Sequence, residues 1–103
     1  MSLNLSEMRQ TSHELTANFE LSRLTLEQIA ADLGVTARQV QSTLDIDADS
    51  DPVSVWELRD YLQHAVRDQG LTPAPYSVLT DAAKLRARMW FRLRRAPRHD
   101  FAA

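Results

Sequence analysis

Hydrophobic positions recur with helical spacing along most of the chain, and region 24–44, LTLEQIAADLGVTARQVQSTL, shows the clearest pattern. Two capping boxes, each a threonine with a glutamine three residues later, lie in this region: Thr25 with Gln28, and Thr36 with Gln39. Gly34 stands between them, and glycine readily adopts the left-handed conformation that ends a helix. The pattern predicts two helices, Leu26–Leu33 and Ala37 to about Leu44, joined by a tight turn at Gly34–Val35.

The apolar side chains of these two helices are expected to meet in the core. Four of them share the inward faces: Ile29, Leu33, Val40 and Leu44. A hydrophobic staple is expected at each helix entry, pairing Leu24 with Ile29 and Val35 with Val40. The small side chain of Ala30 would let the two helices approach closely.

A helix is also predicted before this pair, from about Leu5 to Glu20. Asn4 and Glu7 have the spacing of a further capping box at its start. Its apolar stripe is thin and comprises Met8, Leu15 and Phe19. We therefore expect this helix to pack as a cover over the two-helix unit.

A longer amphipathic helix is predicted after Asp51, which is a suitable cap because Pro52 then occupies the first helical position. Gly70 is expected to end it. Its apolar stripe comprises Val55, Leu58, Tyr61, Leu62, Ala65 and Val66. Trp56 and Tyr61 are interpreted as core or dimer-contact residues, because aromatic side chains at helical spacing usually pack.

The C-terminal part is predicted to contain a stiff connector and one more helix. Residues 71–80 hold two closely spaced prolines, which restrict the backbone, and Tyr76, Val78 and Leu79 are expected to anchor them. A basic C-terminal helix is predicted over 81–95, from Asp81 to about Arg94, with Thr80 as its cap. Its expected apolar face comprises Ala82, Leu85, Met89 and Leu93, widened by Trp90 and Phe91.

These elements predict a single all-α domain, 1–103, of four to five helices around a helix-turn-helix, repressor-like core. The region 24–44 resembles the helix-turn-helix of bacterial transcription regulators. It has their small residue at Ala30, their turn glycine at Gly34 and their apolar core residue at Val40. Thr43 departs from that pattern, which usually has a branched apolar residue there. The resemblance implies a DNA-binding role for the second helix.

The whole chain also resembles the short bacterial proteins classified as domain of unknown function 2316. Six segments carry that resemblance: Met1–Asn4, Asn18–Phe19, Leu24–Gly34, Trp56–Leu62, Pro75–Leu79 and Trp90–Phe91. This family resemblance implies a bacterial source and brings no established activity.

Composition excludes certain kinds of site and indicates the cellular location of the protein. The chain contains no cysteine, which excludes disulfides and thiolate metal sites. No apolar run has the length of a membrane span, and the N-terminus lacks the pattern of a signal peptide. We therefore expect a cytoplasmic protein that does not associate with membranes.

The net charge of −2 conceals a strong asymmetry along the chain. Residues 1–83 carry five basic and thirteen acidic side chains, a net charge of −8. Residues 84–103 carry seven basic and one acidic side chain, a net charge of +6. A basic tail of this kind either meets a polyanion or folds back on the acidic body.

An acidic loop is predicted over 45–51, where four aspartates precede Pro52. Alternating carboxylates could supply oxygen ligands to calcium. However, this segment lacks the glycine and the final glutamate that an EF-hand loop requires. We interpret it as a solvated loop in which Asp51 has a capping role, and we expect no metal site.

The candidate DNA-contact residues lie on the second helix of the helix-turn-helix: Thr36, Ala37, Arg38, Gln41 and Ser42. Arg38 could bond to guanine and Gln41 to adenine. Asp32, Asp45 and Asp47 are close in sequence, and their negative charge opposes the phosphate contacts that supply most non-specific affinity.

The tail is the second candidate for contact with double-stranded DNA. Its basic residues are Lys84, Arg86, Arg88, Arg92, Arg94, Arg95 and Arg98. Three roles are open to it, in order of preference: pairing with the acids of its own chain, nucleic-acid binding, and contact with anionic lipid.

Enzymatic chemistry has no support in the sequence, and no cofactor is implied. The three histidines, His13, His64 and His99, are far apart, and no phosphate-binding glycine loop is present.

The leading hypothesis is a small DNA-binding, transcription-regulator-like protein, expected as a homodimer because paired motifs read paired half-sites. The alternative is a protein-interaction or dimerisation module that keeps the helix-turn-helix as a scaffold.

Overall fold

The computed structural model describes residues 3–47 and 50–102, and these ranges fold into an all-α architecture. The helices in them are α1, Leu5–Ser22; α2, Leu26–Leu33; α3, Ala37–Asp45; α4, Pro52–Asp68; and α5, Asp81–Ala87. These ranges contain no β-strand, and none of their helices is long and apolar enough to cross a membrane. The predicted all-α class is confirmed for these ranges.

Each helix begins at the side-chain cap that its sequence predicts: Asn4, Thr25, Thr36, Asp51 and Thr80 for α1 to α5 in turn. The first three caps form complete capping boxes, in which cap and third residue exchange hydrogen bonds. Gly34 ends α2 with a φ of 72°. Helix α1 continues to Ser22, two residues beyond the predicted end, because Arg23 adopts a left-handed capping conformation.

Helix α4 forms the centre of the packing. Helix α1 packs against α4 and α3, while α3 packs against both α2 and α4. Trp56 is 1% exposed and Tyr61 is 0% exposed, so both belong to the core of the chain itself. Ile29, Val40 and Leu44 are buried as predicted, whereas Leu33 is only partly buried.

The connector over residues 71–80 is held by polar side chains of α1. Asn18 accepts a hydrogen bond from the Ala74 amide at 2.8 Å and donates one to its carbonyl at 3.0 Å. Glu14 accepts hydrogen bonds from the amide and hydroxyl of Ser77, at 3.0 and 2.9 Å. The thin apolar stripe of α1 is explained by this role, because the buried side chains of Glu14 and Asn18 bind backbone groups of the connector instead of packing in the apolar core.

The predicted C-terminal helix over 81–95 is wrong in length and in its buried face. Helix α5 ends at Ala87 and packs with Ala83 and Ala87, while Leu85 and Met89 are exposed. Beyond α5 a turn leads into an irregular segment. A continued helix would stack arginines of like charge four residues apart, whereas the irregular path lets arginines reach carboxylates on α4 and buries Ala96.

The acidic loop also begins later than predicted. Asp45 is the last residue of α3, and Ile46 follows in a left-handed conformation with its side chain buried. Burial of this one apolar side chain turns the chain at the end of α3. Asp49, a member of the predicted loop, lies outside the described residues.

Candidate nucleic-acid interface

Helix α3 presents part of the predicted DNA-contact set to the surface. Thr36, Arg38 and Gln41 are exposed, and Ser42 is partly exposed. Ala37 differs from expectation, since it is half-buried and packs against the core. Ala37 is the first residue of α3, directly after the tight turn, and its methyl group packs against the core instead of facing solvent.

Several of these side chains already have hydrogen-bond partners. The Thr36 hydroxyl accepts a bond from the Gln39 amide at 3.1 Å and therefore caps α3. Gln41 donates from Nε2 to Asp45 at 2.9 Å, across one turn of the helix. Arg38 pairs with none of the carboxylates within 3–47 and 50–102. Arg38 is thus available to a ligand, whereas Gln41 must first leave Asp45.

A cleft of about 470 Å³ separates α3 from the beginning of α4. Arg38, Gln39, Ser42 and Thr43 line its α3 side, and Ser54 and Glu57 line its α4 side. We call this the α3 cleft. Its walls combine these polar side chains, which can donate or accept hydrogen bonds, with the apolar side chains of Leu33, Val35, Val40 and Leu58.

The basic tail folds back onto the edge of the α3 cleft. Arg94 donates from Nε to Glu57 at 3.2 Å and from Nη2 to the hydroxyl of Ser54 at 3.1 Å. Both acceptors line the α3 cleft. The tertiary structure therefore brings positive charge, remote in sequence, beside the helix that carries Arg38.

All three acidic residues near α3 are engaged in hydrogen bonds within the chain, and Asp47 accepts one from the Ser50 hydroxyl at 3.3 Å. Asp32 accepts a hydrogen bond from the Tyr61 hydroxyl and lies 2.7 Å from Nδ1 of His99. Burial raises the pKa of Tyr61, and the bond to Asp32 raises it further, so the phenol remains a donor. Asp45 accepts the bond from Gln41. These hydrogen bonds hold the carboxylates within the fold, but neutral donors such as Tyr61 and Gln41 leave their negative charge in place.

The tail contains both paired and unpaired cations. Lys84 pairs with Asp60, Arg94 with Glu57, and Arg98 with Asp68 at 3.6 Å. The remaining four basic residues are exposed and pair with no carboxylate in the part of the chain that the structure describes: Arg86, Arg88, Arg92 and Arg95. Self-pairing thus accounts for three of the seven tail cations, and four remain available.

A second, larger concavity of about 950 Å³ lies between α4 and this tail. Its charged and aromatic lining comprises Arg59, Asp60, His64, Lys84, Arg88, Trp90, Phe91, Arg92, Arg94 and Arg95. We call it the arginine bowl. The bowl and the α3 cleft meet at the Arg94–Glu57 ion pair, since Arg94 lines one and Glu57 the other.

Two residues of the arginine bowl were missed by sequence reasoning. Arg59 bonds to Asp60 and Asp81, each at 2.8 Å. Burial alone would lower the pKa of Arg59, but these two carboxylates outweigh it and hold the pKa above its ordinary value. His64 has the opposite shift, because burial and the charge of Arg98 lower its pKa. Charged residues inside a helical stripe were the only sequence signal for this arrangement.

The structure separates the three histidines. His13 is exposed on α1, His64 lies against the tail, and His99 contacts Asp32. No group of three potential metal ligands occurs among the residues in 3–47 and 50–102.

Comparison with known proteins places the chain in a family. A family model described as "Uncharacterized protein conserved in bacteria (DUF2316)" matches residues 1–92. No curated protein and no solved structure matches the chain significantly. The match extends over all five helices and agrees with the resemblance noted from the sequence. The chain is therefore a member of the bacterial family DUF2316.

Proposed function

We propose that this protein binds double-stranded DNA as a transcription-regulator-like protein, with α3 as the reading helix of a helix-turn-helix. The observation that carries the proposal is the position of Arg94, which ties the basic tail to the edge of the α3 cleft. Helix α3 itself has one cation, Arg38. The tail supplies the additional positive charge that binding to a phosphate backbone requires.

The exposed N-terminal half of α3 would contact the DNA bases and recognise their sequence. Arg38 presents a guanidinium that matches the N7 and O6 acceptors of guanine, and Gln41 presents an amide that matches adenine. Gln41 would exchange its bond to Asp45 for bonds to a base. Thr36 retains its capping role, so phosphate contacts would come from the tail rather than from this hydroxyl.

A homodimer would place two reading helices on two half-sites. Leu85 and Met89 are 65% and 80% exposed, which is unusual for large apolar side chains in a small domain. These two side chains offer a surface for a second copy. Light scattering at several protein concentrations tests the dimer, and Met89→Glu should shift the population toward monomer.

Titration of the intact protein with duplex DNA at two salt concentrations tests the DNA proposal. Random and genomic duplexes should both bind, with affinity falling as salt rises, because phosphate contacts release counterions. Arg38→Ala should weaken specific binding by about 1–3 kcal/mol, the usual cost of losing a bidentate contact to guanine. Gln41→Ala should weaken it at a different base position.

Arg67→Ala is the matched control, because it removes an exposed arginine from the last turn of α4. That turn is ten residues from Glu57, about 15 Å along the helix, and so lies away from the α3 cleft. Equal weakening by Arg38→Ala and Arg67→Ala would argue against reading by α3. Absence of binding at low salt would refute the proposal.

The second candidate function is a protein-interaction or dimerisation module that keeps the helix-turn-helix as scaffold. The exposure of Leu85 and Met89 favours it as much as it favours a DNA-binding dimer. The DNA titration separates the two functions. A stable dimer that binds no duplex at low salt would support the module, and DNA binding that is weakened by Arg38→Ala but not by Arg67→Ala would exclude it as the sole function.

A further inference from the structure

We propose that the arginine bowl is a binding site for a nucleotide, whose phosphates contact the bowl arginines and whose base stacks on Trp90. This inference concerns a small ligand and does not depend on DNA binding by α3. It assigns a role to a concavity that α3 does not line, although the arginines of this concavity belong to the tail that the proposed function also brings to DNA.

The arginine bowl has a high concentration of positive charge. Six basic side chains line it, namely Arg59, Lys84, Arg88, Arg92, Arg94 and Arg95, against the one lining carboxylate of Asp60. Asp60 is already bonded to both Arg59 and Lys84. A protein of net charge −2 thus concentrates positive charge in one concave site. Such a concavity focuses the electrostatic field and raises the local concentration of anions.

Three guanidinium groups that line the bowl are free to bind a ligand. Arg94 is held by Glu57, but Arg88, Arg92 and Arg95 pair with no carboxylate in residues 3–47 and 50–102. Each guanidinium presents a planar fork of donors that matches a phosphate oxygen pair. Three unpaired forks around one concavity repel each other, and a bound phosphate group would relieve that repulsion.

A histidine at the floor of the bowl has a ring nitrogen without a hydrogen-bond partner. His64 lies on α4 beneath the tail, and its buried Nδ1 has no hydrogen-bond partner in the described part of the chain. Buried nitrogen atoms of this kind are nearly always paired in folded proteins. A small rotation of the ring would present Nδ1 to a polar group of a bound ligand. The unsatisfied nitrogen is consistent with a site that its ligand completes.

Trp90 and the size of the bowl identify the ligand class. Trp90 borders the bowl and is 77% exposed, so most of its indole surface is open to stacking by a planar ring. The volume of about 950 Å³ lies within the range of small-molecule sites. Phosphate alone would make no use of Trp90, and a rigid duplex cannot enter a concavity to contact its floor. A nucleotide carries both a planar ring and phosphates.

Calorimetric titration at low salt without DNA, using ADP, pyrophosphate and adenosine as probes, tests the site. ADP should bind more tightly than either fragment. Binding should also change the fluorescence of Trp90, while Trp56, which is 1% exposed, provides a constant background. The change should be absent in Trp90→Phe.

Three variants locate the site. Arg92→Ala should weaken ADP binding about tenfold, because one charge-assisted hydrogen bond is lost. Arg86→Ala is the matched control, since Arg86 belongs to the same tail and is exposed but does not line the bowl. Trp90→Ala should remove the advantage of ADP over pyrophosphate. Circular dichroism confirms that each variant is folded.

Three outcomes would overturn the proposal: no binding of ADP at millimolar concentration, equal affinity for ADP and pyrophosphate in the natural protein, or equal weakening by Arg92→Ala and Arg86→Ala. None of them bears on DNA binding by α3, which Arg38→Ala tests separately. A protein that binds DNA but not ADP would retain the proposed function and lose this site.

Discussion

The guanidinium of Arg59 and the carboxylate of Asp81 join α4 to the start of α5, with 2.8 Å between Nη2 and Oδ1. The same guanidinium bonds to Asp60 and donates from Nε to the Leu79 carbonyl at 3.1 Å. Arg59 thereby holds the end of the connector and the first turn of α5 against the core. Arg59 thus fixes the point at which the basic tail begins, while the ion pairs of Arg94 and Arg98 hold the tail further along α4.

Arg59→Ala should lower the free energy of unfolding by about 3–5 kcal/mol, because it leaves Asp60 buried without one of its two cationic partners. The change also removes the guanidinium that lies 5.5 Å from the ring centroid of Trp56. Urea denaturation followed by circular dichroism measures the loss. Exposed Arg67 on the same helix is the control, and its change to alanine should cost less than about 0.5 kcal/mol. Similar values for the two variants would contradict the role of Arg59.

Stability should also depend on pH through Asp81. The hydrogen bond from Arg59 and then its charge lower the pKa of Asp81 below the ordinary value. A carboxylate with a depressed folded pKa stabilises the fold above its unfolded pKa, near 3.9, and this contribution is lost as pH falls through the folded pKa.

Asp81→Asn should therefore reduce stability at pH 7 and make the loss of stability below about pH 4 less steep than in the natural protein. Thermal unfolding between pH 2 and pH 7 measures both effects. Parallel stability–pH curves for the two proteins would show that Asp81 makes no such contribution.

Substitution of Gly34 should destabilise the protein when the new side chain disfavours the left-handed backbone conformation at this position. Its φ is 72°, and no neighbouring atom lies within 4 Å of the place where a Cβ atom would stand, so the cost of substitution is conformational rather than a clash. Gly34→Ala should destabilise the protein by about 1–2 kcal/mol, and Gly34→Val by more, because a branched side chain restricts the backbone further. Gly34→Asn should be milder. Chemical denaturation ranks the three, and a neutral Gly34→Val would refute the left-handed turn.

Asn18→Ala should detach the connector from α1. It removes both hydrogen bonds to the partly buried Ala74, at a cost of about 0.5–1.5 kcal/mol for each bond. Hydrogen exchange should show faster exchange of the Ala74 amide. His13→Ala, at an exposed site on the same helix, should leave that exchange unchanged. Unchanged protection of Ala74 in Asn18→Ala would argue against this anchoring.

Local chemistry in the sequence was sufficient to predict where helices begin. A threonine, asparagine or aspartate cap acts through groups within three residues, so Asn4, Thr25, Thr36 and Thr80 were identified without knowledge of the fold. Gly34 was identified for the same reason. The sequence left Trp56 and Tyr61 as either core or dimer-contact residues, and their burial within the chain decided for the core.

The path of the tail was decided by contacts between residues distant in sequence. Helical spacing favoured a helix to about Arg94, but the ion pairs of Arg94 with Glu57 and Arg98 with Asp68 stabilise an irregular path along α4. In each pair the two residues are at least 30 positions apart, so no local pattern could reveal them. The placement of positive charge beside α3, and the arginine bowl with it, is therefore a property of the tertiary structure alone.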